Sequence, residues 1–310
     1  MAETHGHRLI EMCSNARDSV LIVAPFVKDH ALRRVLEAIP ATVGAVTCVT
    51  RWLPEEVANG VSDLEVLDRI RGRRGARLLL HPRLHGKLYR IDSRCFVGSA
   101  NVTGKGLGWR SPSNLELMLE VSVGDPDVLA FEEQLLSTSM VADDEMRNAI
   151  RAAADLLIGE GRTSNQPTDD ELPAIGLGQW LPTCPTPDRL WNVYDDSDLW
   201  RLVQSALDAG QRDLAVIGVP SRLPRSVFNR YVESALIEMP IVQEIDRRAS
   251  VGLSGDEAVV LLERSYDMTA QPYSPAEMWE ILKAWLEYFR PRTYRRTPYG
   301  EILVRGREIT

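Results

Sequence analysis

Apolar residues return at helical spacing over residues 4–16, where Leu9, Ile10, Met12 and Cys13 predict a helix. The pattern then changes. Residues 18–26, DSVLIVAPF, form an unbroken apolar run of the kind a strand shows when it is covered on both faces. Leu32, Val35 and Leu36 mark a helix over 29–38, and AVTCVT at 45–50 a second buried strand. Leu64, Val66, Leu67 and Ile70 mark a helix over 61–70, and ARLLLH at 76–81 a third strand. This alternation predicts an α/β fold with a mixed, largely parallel sheet flanked by helices. Residues 86–91 and 95–98 read as a hairpin turning at Asp92, Ser93 and Arg94, and 115–123 as a further strand. Helices are expected over 125–137 and 143–158.

The polar stretch GEGRTSNQPTDDEL, rich in Gly and Pro, divides the chain into a first domain at 1–158, a linker at 159–176 and a second domain at 177–310. The second domain reads as smaller and mostly helical, of α+β type. Trp180, Trp191 and Trp200 make either a small core or a stacking platform for bases. Helices are predicted over 197–209, 224–239, 240–248 and 274–289. Residues 213–219, DLAVIGV, read as a strand that faintly echoes 18–24. Residues 256–264 fit a strand or a helix, and 301–304 a terminal β-segment. This succession permits a winged-helix-like unit.

The formal charge of −8 over 310 residues means that any polyanion must be met by a local basic patch. Cys13, Cys48, Cys95 and Cys184 lie far apart without metal-ligand spacing, and read as reduced thiols. His5 and His7 read as the solvated start of a helix rather than a metal pair, so neither metal nor cofactor is expected. The first residues lack a signal-peptide pattern, and no window is long and apolar enough to span a membrane. The expectation is a cytoplasmic protein with no membrane partner.

Chemistry concentrates in LHGKLYRIDSRCFVGSAN at 84–101. His85 and Lys87 alternate on one strand face. Asp92 follows after four residues, and Gly98, Ser99 and Asn101 after five more. One imidazole, one fixed cation and small uncharged donors suit a phosphate group. Glu116 stands inside a strand rich in Leu and Met, where a carboxylate needs a partner. The spacing resembles the HxKxxxxD…GSxN motif of the phospholipase D superfamily. The resemblance covers only the core of the first half of the chain. It implies a covalent phosphohistidine on His85, with Lys87, Ser99 and Asn101 holding phosphoryl oxygens. It also implies that Glu116 supports the histidine, and that Asp92 acts structurally in the turn.

The family needs two such motifs, and this chain has one. No other histidine begins an HxK, and none follows residue 85. The resemblance therefore implies a homodimer whose subunits share the active site. It fixes a phosphodiester substrate but not the alcohol. Local basic residues favour DNA: Arg51 at a strand end, Arg74 in a cluster before the third strand, and Lys105 and Arg110 in the loop after Asn101. Arg292, Arg295 and Arg296 interleave with Tyr294 and Tyr299 near the C-terminus. The expected activity is that of a metal-independent DNA endonuclease, by analogy with restriction or anti-phage defence nucleases, with other defence-system proteins as partners. A phospholipase or phosphatidyl transferase, and a silent nucleic-acid-binding scaffold, are the alternatives.

Overall fold

A computed structural model describes residues 4–161, 177–248, 253–296 and 302–305. The chain divides into two compact units, Met1–Asp169 and Asp170–Thr310. Most of the predicted linker lies outside the described residues.

The first unit runs α1 (His5–Ser14), β1 (Ser19–Val23), α2 (Asp29–Ala38), β2 (Ala45–Thr50), α3 (Pro54–Ala58), α4 (Val66–Arg71) and β3 (Ala76–Leu80). It continues through β4 (Lys87–Ile91), β5 (Arg94–Gly98), β6 (Met118–Val121), α5 (Pro126–Thr138), β7 (Met140–Val141) and α6 (Asp144–Gly159). The strands form one mixed seven-stranded sheet in the order β6-β5-β4-β1-β2-β3-β7. Only β1–β2 and β2–β3 pair in parallel, and the other four ladders are antiparallel. The expectation of a largely parallel sheet is thus corrected. Unbroken apolar runs report burial on both faces and carry no information on strand direction. The tight β4–β5 turn forces the antiparallel half. On one face Leu21, Val23, Val49, Leu88 and Cys95 pack with Val128 and Leu135 of α5. On the other, α1 lies against α2 and β4.

Arg73 explains part of the basic cluster before β3. Its guanidinium donates to the carbonyls of Leu36, Ile39, Pro40 and Val43, closing the C-terminal end of α2. Arg71 pairs with Asp144, and Arg77 donates to Thr47.

The second unit comprises α7 (Leu190–Tyr194), α8 (Gln204–Ile217), α9 (Arg225–Glu238), α10 (Pro240–Arg248), β8 (Leu253–Ser254), α11 (Gly255–Ser265), α12 (Pro275–Phe289), β9 (Tyr294–Arg296) and β10 (Ile302–Arg305). From α10 onward the order is helix, strand, helix, helix, strand, strand. β10 lies between β8 and β9, antiparallel to both. That is the connectivity of a winged helix. Capping boxes start α11 at Ser254 and α12 at Ser274.

One expectation fails in this unit, and one pair of alternatives is separated. The strand predicted over 213–219 is the end of α8, which stops at Gly218 in the left-handed region. A short apolar run does not separate a strand from a packed helix, and the echo of 18–24 is no repeat. Of the two readings of the tryptophans, the small core holds for Trp180, which is buried, and Trp191, which packs against it, while Trp200 is exposed. Trp180 meets Trp285 edge-on at 5.7 Å, and Trp191 meets Phe228 at 5.2 Å. Trp180 Nε1 also donates to the buried Asp213 carboxylate, which accepts from Thr183 N and Cys184 N as well. Burial pushes Asp213 up to about 6 despite these donors.

Candidate active site

β4 starts at Lys87 and runs antiparallel to β1, so its first residues stand at the carboxyl end of β1, with Leu88 opposite Val23. Lys87 lies opposite Gly98, and Gly98 opposite Met118. Neighbouring strands are about 4.8 Å apart, so these three strand ends bring Lys87, Ser99 and Glu116 to one edge of the sheet. This is the edge, at the carboxyl end of β1, where open α/β sheets place ligands. His85 is exposed and Lys87 half-buried. Lys87 Nζ donates to the His85 carbonyl at 2.7 Å, which holds the two residues together. A Cβ on Gly98 would come 2.0 Å from the Leu117 carbonyl, so glycine lets the segment carrying Glu116 approach.

Ser99 and Glu116 are in direct contact. Ser99 Oγ donates to Glu116 Oε2 at 2.5 Å and accepts from Leu117 N at 3.0 Å. Asn114 Nδ2 donates to Glu116 Oε1 at 3.0 Å. The carboxylate that the sequence left without a partner is therefore oriented from both oxygens. Asn101 Oδ1 accepts from Phe26 N at 3.3 Å, which turns the amide NH₂ outward as a donor.

Asp92 belongs to the opposite end of the hairpin, about five residues or roughly 16 Å of strand away from Lys87. It adopts φ 51° in the turn, a conformation Asp tolerates. Its carboxylate accepts from Arg17 N, Asp18 N and Ser19 N at 2.8 to 2.9 Å. Burial alone would raise its pKa. The three backbone donors outweigh that and hold the carboxyl below its ordinary range.

The segment that delivers His85 is braced by His81. His81 N donates to the Thr50 carbonyl, Leu84 N to the His81 carbonyl, and Arg83 N to His81 Nδ1 at 3.3 Å. The ring is buried. Burial first, and the Arg83 charge second, lower its pKa to about 4, so it is neutral at pH 7.

The predicted nucleic-acid contacts separate into groups. Lys105 and Arg110 are exposed in the loop that leaves Asn101. Arg51 has an internal carboxylate partner: it pairs with Glu56, and both are largely buried. Arg74 is exposed before β3, at the opposite edge of the sheet from His85. Arg292 and Arg295 are exposed, while the Arg296 side chain and Tyr299 lie outside the described residues. Tyr294, read as a stacking residue, is buried with its hydroxyl on Asp246. α12, in the position where a winged helix presents its recognition helix, exposes Glu277 and Glu280 and buries most of its apolar residues.

Three site residues escape sequence reasoning. Asn114 orients Glu116, and nothing in its local pattern marks it. Tyr89 is buried, and its hydroxyl donates to the Ala100 carbonyl at 2.7 Å, fixing the GSxN segment. His5, read as solvated, donates from Nε2 to the Glu116 carbonyl at 3.0 Å. The signal for His5 is the adjoining Gly6, whose missing Cβ lets α1 touch Leu107 and Trp109. All four cysteines are free and buried. No helix among the described residues is long and apolar enough to cross a membrane.

No protein-family model matches the chain, and no curated protein matches it. Among solved structures it is similar to NucT from Helicobacter pylori, at 18% identity and TM-score 0.33, over 44% of this chain and 89% of that one. It is similar to the phosphatidylserine synthase of Haemophilus influenzae Rd KW20 at 17% identity and TM-score 0.38, over 49% of this chain and 41% of that one. A third likeness is to TrmBL2, an archaeal chromatin protein, at 14% identity and TM-score 0.27, over 42% and 46% of the two chains.

Proposed function

We propose that the chain is a phosphodiesterase of the phospholipase D type that cleaves DNA as a homodimer, with His85 as its nucleophile. The observation that carries this reading is the meeting of the Lys87, Gly98–Ser99 and Glu116 strand ends beside His85, with Asn101 turned to donate. An imidazole nitrogen of His85 attacks phosphorus, a P–N bond forms, and the P–O bond to the leaving alkoxide breaks as that oxygen takes a proton. Water then attacks the phosphohistidine, releasing the phosphate monoester and restoring His85. Lys87, Ser99 and Asn101 meet the charge on the non-bridging oxygens. To donate to phosphate, Ser99 exchanges its Glu116 partner for the substrate.

The leaving oxygen needs an acid, and a second copy supplies it through its own His85. The edge of the sheet supports that pairing. Leu115, Leu117 and Leu119 are 102%, 63% and 55% exposed along and just before β6, the outermost strand on that side. Alternate residues of an extended segment share a face, and Leu119 stands opposite Val97. An apolar, open edge is a template for another strand. Glu116 lies between two of these leucines, so a copy seated there stands next to the site.

The test is turnover of plasmid, single-stranded DNA, RNA and phospholipid vesicles in the presence of chelator, with His85→Ala and Leu117→Lys beside the wild type. The wild type cleaves DNA. His85→Ala is inactive, and Leu117→Lys is monomeric by light scattering and inactive. Cleavage that survives His85→Ala overturns the mechanism. An active monomer overturns the shared site, and turnover of lipid alone overturns the substrate.

A further inference from the structure

We infer that His30, Arg34, Lys105 and Arg110 form a ledge that takes the sugar–phosphate backbone of a nucleic-acid strand beyond the scissile phosphate. The inference rests on the proposed substrate class. Its geometry comes from the loop after Asn101 and the start of α2. Val102 bridges Val27, and Lys28 N donates to the Val102 carbonyl at 3.0 Å, so the loop is fastened to the residues just before α2. The Gly104 carbonyl accepts from both Trp109 N and Arg110 N at 2.8 Å. A Cβ on Gly104 would stand 3.1 Å from His30 Nε2 and 3.4 Å from Arg110 Cδ, so both side chains flank that glycine. Arg34 lies over the Trp109 ring at 4.4 Å. The indole in turn is wedged against α1, where a Cβ on Gly6 would come 2.3 Å from its Nε1.

Three consequences follow. First, Trp109 is a mount for Arg34 and not a free face for a base, because the guanidinium covers it. Second, the ledge is held by backbone bonds and close packing, so its cations are ordered before a ligand arrives. Third, the neighbouring carboxylates are engaged elsewhere. The carboxylates on and beside α2 have partners outside the ledge: Asp29 takes Arg69, Asp63 takes Lys28, and Glu37 takes Arg33. Arg34, Lys105, Arg110 and His30 are all exposed, on a chain whose formal charge is −8. A cationic row on an acidic protein selects a repeating anion by position and not by bulk attraction. At most about 10 Å of chain separates Gly104 from Asn101, so the ledge lies next to the phosphate that Asn101 contacts. A polyanion spanning both points is a nucleic-acid strand, since phosphates recur along it at short intervals.

The experiment uses the full chain carrying His85→Ala, so that nothing is cut. Binding of a fluorescein-labelled single-stranded oligodeoxynucleotide is followed by anisotropy across a salt series. Arg34→Ala and Arg110→Ala each weaken binding roughly fivefold and flatten the log–log salt slope by about 0.7 per lost contact. Arg34→Lys falls between, keeping charge but losing the planar stack. Arg94→Ala, at the far end of the hairpin and paired with Glu120, leaves affinity and slope unchanged. Unchanged affinity in both Arg34→Ala and Arg110→Ala overturns the ledge, as does an absence of oligonucleotide binding. Ledge-dependent binding to phosphatidylserine vesicles without oligonucleotide binding overturns it too. Cleavage by the wild type is scored separately. If DNA is cut but the ledge variants bind normally, the ledge fails and the nuclease stands. If nothing is cut but the variants bind weakly, the nuclease fails and the ledge stands.

Discussion

The two ends of the β4–β5 hairpin carry residues of the same short motif and do opposite work. At the open end His85, Lys87, Ser99 and Asn101 are exposed or half-buried. At the turn end Asp92 spends its carboxylate on three backbone donors of the Arg17–Ser19 segment. The sequence writes all of them as one spaced string. A strand of five residues separates them by more than a phosphate group can bridge. The difference teaches that one spaced motif can serve both the proposed reaction and the fold that would present it, and that substitution should pull the two apart.

The largest effect is expected at the open end. His85→Ala should lower DNA cleavage by about a thousandfold or more while leaving the melting temperature in place, because the side chain is exposed. A large fall in melting temperature would show that the open end is also structural.

The open end does have one buried support, and pH should reveal it. His81 braces the turn before His85 through Nδ1, which can accept from Arg83 N only while unprotonated. Its folded pKa of about 4 lies below the ordinary 6.5. Between those values the unfolded chain binds the proton more tightly. The contribution to stability is therefore full above about pH 6.5 and declines as the pH falls toward 4, by about 3 kcal/mol in all. Urea unfolding across that window should show the slope, and His81→Asn should flatten it. Equal slopes in the two proteins would remove His81 from the brace.

At the turn end Asp92→Ala should cost about 2 kcal/mol, since three backbone N–H groups lose a charged acceptor in a partly exposed turn. Cleavage per folded molecule should stay near the wild-type value. Loss of cleavage at full stability would break the division of labour between the two ends.

Much of this was legible in advance. The strands over 18–26, 45–50 and 76–81, the hairpin and its turn follow from apolar runs and turn residues, since these are local properties. Glu116 was singled out as a carboxylate inside an apolar strand; it does have partners, but it stands before β6, which begins at Met118, between the exposed Leu115 and Leu117. What stayed hidden depends on contacts distant in sequence. The antiparallel pairing of most of the sheet, the use of Arg73 as a cap on α2, and the capture of Arg51 by Glu56 are set by packing. The strand misread over 213–219 belongs to a helix because Asp213 must point inward to Trp180 and Cys184. His5 reached the site only because Gly6 lets α1 settle onto the 107–109 loop, a fit that no periodicity displays.

The smallest predicted effect sharpens the comparison most finely. Glu116 at the open end, like Asp92 at the turn, is a carboxylate held by several donors, but its donors are side chains, Ser99 and Asn114. Backbone donors are fixed by the fold; side-chain donors can be exchanged for substrate. Asn114→Ala removes one donor from an exposed pair, a loss of about 1 kcal/mol, and should slow cleavage roughly fivefold with little change in stability. Asn114→Asp should slow it further, since a second carboxylate beside Glu116 Oε1 repels it instead of holding it. Single-turnover cleavage and thermal unfolding measured side by side decide the matter. If Asn114→Ala lowers stability as Asp92→Ala does and leaves the rate alone, Glu116 is a fold residue, and the proposed mechanism loses the carboxylate assigned to support His85.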